Sequence, residues 1–287
     1  MKNFIFPTIF ISTVMSLFIT ANAFAGCKAI NNNALATDKT QRLYQLQDAV
    51  DDCEGIQTIT PFIKELIDQG KFSLVQNYLD MASDYAKNDG QKITVAELTG
   101  EFYLAQGNVC QVHKLLGKKV KFPYQKEANK SIDLSLSDYI QHHGINSDTL
   151  TCMFESSRSM ATNRGLTRSN GINMAIKFKT NSAELTTQGV KQVTTLSQAI
   201  KKLNFEHFTV NFVGHTDVRG EADYNLTLSK ARAYSVYNAV VGHRPSLKSL
   251  VTYSGQGETH PKILNNTERA HNINRRVEIF LSKKVVF

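Results

Sequence analysis

The sequence predicts an α+β chain: an all-helical N-terminal half followed by a β-α-β-α-β-β sandwich whose helices pack on one sheet. Three observations carry this. From about Thr40 to Arg158, apolar residues recur at three- and four-residue steps, and no alternating run interrupts them. Ser159 to Gly171 is small, polar and aperiodic, as a linker would be. Beyond it, alternating runs and helical stripes take turns. A chain of 287 residues leads one to expect about two domains. The divisions are a targeting segment at 1–25, a helical domain at 26–158, a linker at 159–171 and an α/β domain at 172–287.

The targeting segment is read from Lys2, the nearly unbroken apolar run Phe4 to Ile19, and the small residues Ala21-Asn22-Ala23-Phe24-Ala25-Gly26. This is a secretory signal peptide rather than a membrane span, because the run is short and leads into A-x-A cleavage sites after Ala23 or Ala25. No later stretch is apolar enough to cross a bilayer, so the processed chain is expected to be exported without a transmembrane segment. Phe24-Ala25-Gly26-Cys27 is similar to a bacterial lipobox, with Phe24 where Leu is usual. Against lipidation stands parity: Cys27, Cys53, Cys110 and Cys152 form an even set in an exported chain, which favours two disulfides. Of the three possible pairings, Cys27–Cys53 with Cys110–Cys152 would staple neighbouring helices. The expected compartment is a Gram-negative periplasm, in association with the outer membrane and with lipidation at Cys27 as the alternative.

In the helical half, Leu43, Leu46 and Val50 set the first stripe, Phe62, Leu66 and Ile67 the next. Leu74, Tyr78 and Leu79, then Leu98, Phe102 and Leu104, continue it. Gln69-Gly70 and Gln106-Gly107 lie 37 residues apart in similar surroundings, a spacing found in helix–turn–helix repeats. Each glycine would end one helix in the left-handed conformation. This resembles a tetratricopeptide-like (TPR-like) pair; a small helical bundle is the equal alternative. A module of this kind would engage an envelope protein partner.

In the second half, Ile172, Met174, Ile176 and Phe178 alternate as a strand, and Glu184 to Leu203 carries a helical stripe. A strand at 208–213, a helix from 227 to about Val241, a strand near Leu250–Ser254, a loop and a last strand at 276–281 complete the order. The centre of this half is Gly214-His215-Thr216-Asp217-Val218-Arg219-Gly220, followed by Asn225-Leu226-Thr227-Leu228-Ser229-Lys230-Ala231-Arg232-Ala233. Gly214 and Gly220 would turn the chain on either side of Asp217, and Asn225 or Thr227 would cap the helix. A carboxylate at a strand tip and a guanidinium fifteen positions on suit a ligand bearing both an ammonium and a carboxylate. An ion pair between Asp217 and Arg232 is the structural alternative.

This stretch resembles the signature of the OmpA-like (OmpA C-terminal, Pal- and MotB-related) peptidoglycan-binding domain. The resemblance covers roughly residues 170–283 in four ordered blocks: Phe178 to Leu185, the GHTD loop with its LSxxRA helix, Gly255-Gln256-Gly257-Glu258 with Pro261, and Asn274-Arg275-Arg276-Val277-Glu278. It implies a domain that binds the diaminopimelate unit of peptidoglycan without catalysis or cofactor. By the same resemblance, Asp217 would take the ligand's ammonium and Arg232 its carboxylate. Thr216, Asn225 and Asn181 would add hydrogen bonds, and Arg276 would help orient the site.

The residues offer little to other classes. The formal charge is +8, from 33 Lys+Arg against 25 Asp+Glu, with neither the basic stripe nor the stacking aromatics that nucleic-acid binding calls for. His142, His143 and His260 lack companion ligands at metal spacing, and His215 alone makes no metal site. Ser229 has no His and Asp arrangement to activate it. A cell-wall hydrolase targeted by the C-terminal domain, or a protein–protein module without ligand, are the rival readings.

Overall fold

A computed structural model describes residues 30, 34–118, 121–163, 171–205 and 207–283. The expected targeting segment and Cys27 lie outside the described residues.

Among the described residues of the first half there are seven helices: α1 (Lys39–Asp52), α2 (Ile56–Asp68), α3 (Phe72–Tyr85), α4 (Asp89–Ala105), α5 (Val109–Leu116), α6 (Pro123–His143) and α7 (Ser147–Asn163). Their starts follow local chemistry. The Asp38 carboxylate accepts the Gln41 N–H at α1, and Asn88 with Gln91 forms a reciprocal capping box at α4. Pro123 opens α6, where a missing N–H costs nothing.

The two Gln-Gly pairs behave identically. Gly70 and Gly107 both sit at φ +68° after α2 and α4. The N–H of Gly70 reaches the Ile67 carbonyl and that of Lys71 the Leu66 carbonyl; Gly107 and Asn108 repeat this with Leu104 and Tyr103. Each is a Schellman end, and each folds the next helix back on its predecessor. The 37-residue echo is therefore a repeat of helical hairpins, α2–α3 and α4–α5. Cys110 on α5 is bonded to Cys152 on α7 across a Cα separation of 6.0 Å. Cys53 is also disulfide-bonded, and its expected partner Cys27 lies outside the described residues.

The second half is built from β1 (Ile172–Met174), α8 (Thr187–Lys201), β2 (Phe208–Gly214), α9 (Ala222–His243), β3 (Val251–Gly255), α10 (Glu268–Asn274) and β4 (Val277–Lys283). The sheet order is β1-β4-β2-β3, with β2 parallel to β3 and antiparallel to β4. The expected element order holds, with three differences. The first strand stops at Met174, and Phe178 only bridges Leu185. The segment before β4, expected as loop, contains α10, capped by the Thr267 hydroxyl. Helix α9 begins at Ala222, five residues before the expected start, so Asn225 is inside its first turn and not its cap.

Among the described residues two buried clusters form, and they divide within α4 and not at the expected linker. One runs from α1 to Phe102 of α4, centred on Ile59, Phe62, Ile63 and Leu66. The other runs from Leu104 through Leu150, Met153 and Phe154 on α7 into the sheet residues Val210, Phe212 and Ile279. Helix α7 itself continues to Asn163, into the stretch read as linker, and residues 164–170 lie outside those described. Polar contacts reinforce this join. Lys262 Nζ, buried in the loop after β3, donates to Asp133 Oδ2 at 2.6 Å and to Ser137 Oγ at 3.1 Å on α6.

Candidate functional site

The cleft lies where the carboxyl ends of β2 and β3 meet α9 and the loop after β1. Helix α9 presses unusually close to the strand ends. A Cβ on Gly214 would fall 2.0 Å from the Ser229 carbonyl oxygen, and one on Gly255 would fall 2.4 Å from the Lys230 nitrogen. Gly214 is thus the last residue of β2, required by close approach, and not the turn glycine expected from the sequence. Gly220, at φ +100°, makes the turn. Gly257 is left-handed at φ +54°, and its N–H donates to Ser229 Oγ at 2.9 Å.

These contacts shape a cleft of about 510 Å³ lined by every residue expected of the site: Asn181, Thr216, Asp217, Asn225, Arg232 and Arg276. Asn181 stands in the left-handed region at φ +50°, which asparagine tolerates, and its carbonyl accepts the Tyr224 hydroxyl at 3.3 Å. Thr216 is fixed by its N–H to the Gly257 carbonyl at 2.9 Å, and its buried hydroxyl has no partner among the described residues. Asn225 Nδ2 donates to the Arg219 carbonyl at 3.1 Å and to the Glu258 carboxylate. It ties the GHTD loop to the G-x-G-E segment.

Asp217 and Arg232 do not pair. The Asp217 carboxylate is gripped by Arg219, through Nε at 3.1 Å and Nη2 at 2.9 Å, and by Arg275 Nη1. Burial alone would raise its pKa. The hydrogen bonds from both guanidiniums and from the Arg219 N–H outweigh burial and hold the carboxyl well below the usual range. Arg232, 9 % exposed, instead donates Nε to the Ser182 carbonyl at 3.0 Å and lies over the Phe178 ring at 5.2 Å. Burial and the neighbouring Arg275 both push its pKa down. The Asp217–Arg232 ion pair is therefore replaced by two separate arrangements: a carboxylate held by two other arginines, and a guanidinium without an acid among the described residues.

Arg276 faces inward. Its Nε donates to Asn173 Oδ1 at 3.0 Å and its Nη2 lies 3.4 Å from Glu278 Oε2. His215 is buried, with Nε2 3.2 Å from the same Glu278 oxygen, and burial chiefly lowers its pKa. It braces the cleft floor. His142, His143 and His260 are exposed, and no cluster of three or more His, Cys, Asp or Glu at metal spacing occurs among the described residues.

Sequence reasoning missed Arg219 and Arg275 as the partners of Asp217, and Lys177, Phe178 and Tyr224 as cleft walls. Arg219 stood next to Asp217 in the loop and was a legible signal; Arg275, 58 positions away, was not.

A mixed four-stranded sheet with this cleft at its strand ends defines an OmpA-type α/β module. The sequence model described as "OmpA family" matches residues 177–275. The chain is 31% identical over 112 residues to YfiB of Escherichia coli (strain K12), covering 39% of this chain and 69% of that protein. The chain belongs to the OmpA family. It is also 34% identical over 107 residues to the probable lipoprotein YiaD of the same organism, covering 37% of this chain. The chain spans about half (48%) of YiaD's length. The peptidoglycan-associated lipoprotein of Pseudomonas putida is 33% identical over 104 residues, covering 36% of this chain and 59% of that protein. Among solved structures, the cell wall anchor of the T6SS from Pseudomonas aeruginosa aligns with a TM-score of 0.36 at 26% identity, covering 41% of this chain and 82% of that one.

Proposed function

We propose that this chain is a non-enzymatic envelope protein that holds peptidoglycan non-covalently, through a diaminopimelate residue of the stem peptide, and tethers a partner to the cell wall. The observation that carries the reading is Arg232: a guanidinium nine-tenths buried in a cleft wall, without a carboxylate partner among the described residues. Such a group is costly unless an anion comes to it. The ligand's carboxylate would dock on Arg232, and its ammonium on Asp217. Arg219, whose side chain is 54% exposed, would swing away from Asp217 to make room, while Arg275 would stay. The unpartnered Thr216 hydroxyl would accept or donate one further hydrogen bond.

The helical half would present its hairpins to an envelope protein. Location in a Gram-negative periplasm rests on the expected signal peptide and on the lipoprotein names of the relatives. Those names also favour a lipid on Cys27; the disulfide at Cys53 favours Cys27 as a thiol partner instead. Mass spectrometry of the mature N-terminus separates the two forms: a diacylglycerol adduct on Cys27 would replace the soluble form with a membrane-anchored one.

The test of binding is co-sedimentation with diaminopimelate-type peptidoglycan. Wild type is expected to pellet, and Asp217→Ala and Arg232→Ala, each confirmed as folded, to remain in solution. Losing one charged contact in such a site costs about 2–5 kcal/mol. Equal pelleting of the variants would make both residues structural and move the function to protein contacts. Muropeptides released by the protein would restore the hydrolase reading.

A further inference from the structure

The cleft's charges do not balance. Six cations line it, Lys177, Lys179, Arg219, Arg232, Arg275 and Arg276, against one lining carboxylate, Asp217. Four of the six are matched. Lys179 pairs with Glu184, Arg276 with Glu278, and Arg219 and Arg275 share Asp217 and Glu268. Two are left without a carboxylate among the described residues: Arg232 and Lys177.

Lys177 differs from a surface lysine because its backbone is immobilised. Its N–H donates to Gln192 Oε1 at 2.9 Å, and its carbonyl accepts the Thr186 N–H at 3.1 Å and hydroxyl at 3.2 Å. That carbonyl also abuts Gly189, where a Cβ would come within 2.0 Å. The half-buried side chain is thus launched into the cleft from a fixed point, toward the side where Arg275 lies. Burial first, and the Arg275 charge second, press its pKa down. Two like charges held near each other in a partly desolvated cleft repel until an anion arrives between them.

We propose that Lys177 is a specificity residue that receives a second carboxylate, so that the cleft selects a ligand with two carboxylates and one ammonium over one with a single carboxylate. This rests on the peptidoglycan reading and sharpens it. A diaminopimelate residue at the free end of a stem peptide carries that set of charges. Amidation or cross-linking of the terminal carboxyl removes one of them.

The experiment is calorimetric titration of the full chain with two short synthetic peptides. One ends in diaminopimelate with both carboxylates free; the other has its terminal carboxyl as the amide. Wild type is expected to bind the free acid about tenfold or more tightly than the amide, the scale of one charge-assisted hydrogen bond. Lys177→Gln should bind the two peptides alike, Lys177→Arg should keep the preference, and Lys191→Gln, an exposed lysine outside the cleft, should behave as wild type. An undiminished preference in Lys177→Gln, with wild-type binding intact, would overturn the assignment alone. Failure of wild type to bind either peptide would overturn the ligand reading and the assignment together.

Discussion

Asp217 and Arg232 face the same cleft from a strand tip and a helix, yet neither neutralises the other. Asp217 is closed by arginines of its own fold, whereas among the described residues Arg232 meets a carbonyl and a ring but no acid. Loss of either residue should therefore differ in character. Asp217→Ala leaves Arg219 and Arg275 with Glu268 alone to share, whereas Arg232→Ala removes one buried charge with its carbonyl and ring contacts.

Arg219 competes with the ligand's ammonium for Asp217. A pair with one partner more than half exposed contributes about 0.2–1 kcal/mol. Arg219→Ala is expected to raise affinity for the peptide by up to about fivefold, as read by titration. Weakened binding would instead place Arg219 among the groups that grip the ligand.

The packing of α9 on the strand ends has no tolerance at Gly214. Gly214→Ala should cost about 3 kcal/mol or more, because the added methyl meets the Ser229 backbone and not a side chain that could move. Chemical denaturation reports the loss, and cleft binding should fall with it. Gly242→Ala, near the end of the same helix with open space around it, is the matched control and should be neutral or slightly stabilising.

Buried His113 donates to or accepts from Ser157 Oγ at 2.7 Å, and burial lowers its pKa to about 4, against an opposing influence of Asp133. The unfolded chain takes up this proton near pH 6.5 and the folded chain does not until about 4. Stability is therefore full above about pH 6.5 and falls as the pH drops toward 4, by about 3 kcal/mol from this group. Denaturation curves across that window should flatten in His113→Gln.

Cys110–Cys152 closes a loop of 42 residues between α5 and α7. Chain-entropy arguments assign such a cross-link about 4 kcal/mol. Cys110→Ser with Cys152→Ser should lower the melting temperature, and the helical half should lose protection from hydrogen exchange first around α5 and α7.

Local chemistry was legible in the sequence where it is written in neighbouring residues. The Gln-Gly pairs announced two left-handed helix ends, and the GHTD block announced a loop at a strand tip. What the glycines do was only half legible. A glycine at a strand end reads as a turn, while Gly214 serves a helix backbone that arrives fifteen residues later. Asn225 reads as a cap because its type favours caps. Its side chain in fact reaches out of the first turn to Glu258, a long-range contact with no local mark. Which arginine meets Asp217 depends on α10 delivering Arg275, and that helix is only seven residues long, too short for a periodic signal.

The bond between Lys262 and Asp133 gives the molecule a mechanical character. Asp133 belongs to the helical half; the N–H of Lys262 is held by Asn274 Oδ1 at 2.8 Å, and Arg275, the next residue, clasps Asp217. Asp133 on α6 is thus joined to the Asp217 clasp through a few short links, with apolar packing alongside them. In the tether proposed above, a load carried by α6 would share this path to Asp217, the carboxylate that would anchor the ligand.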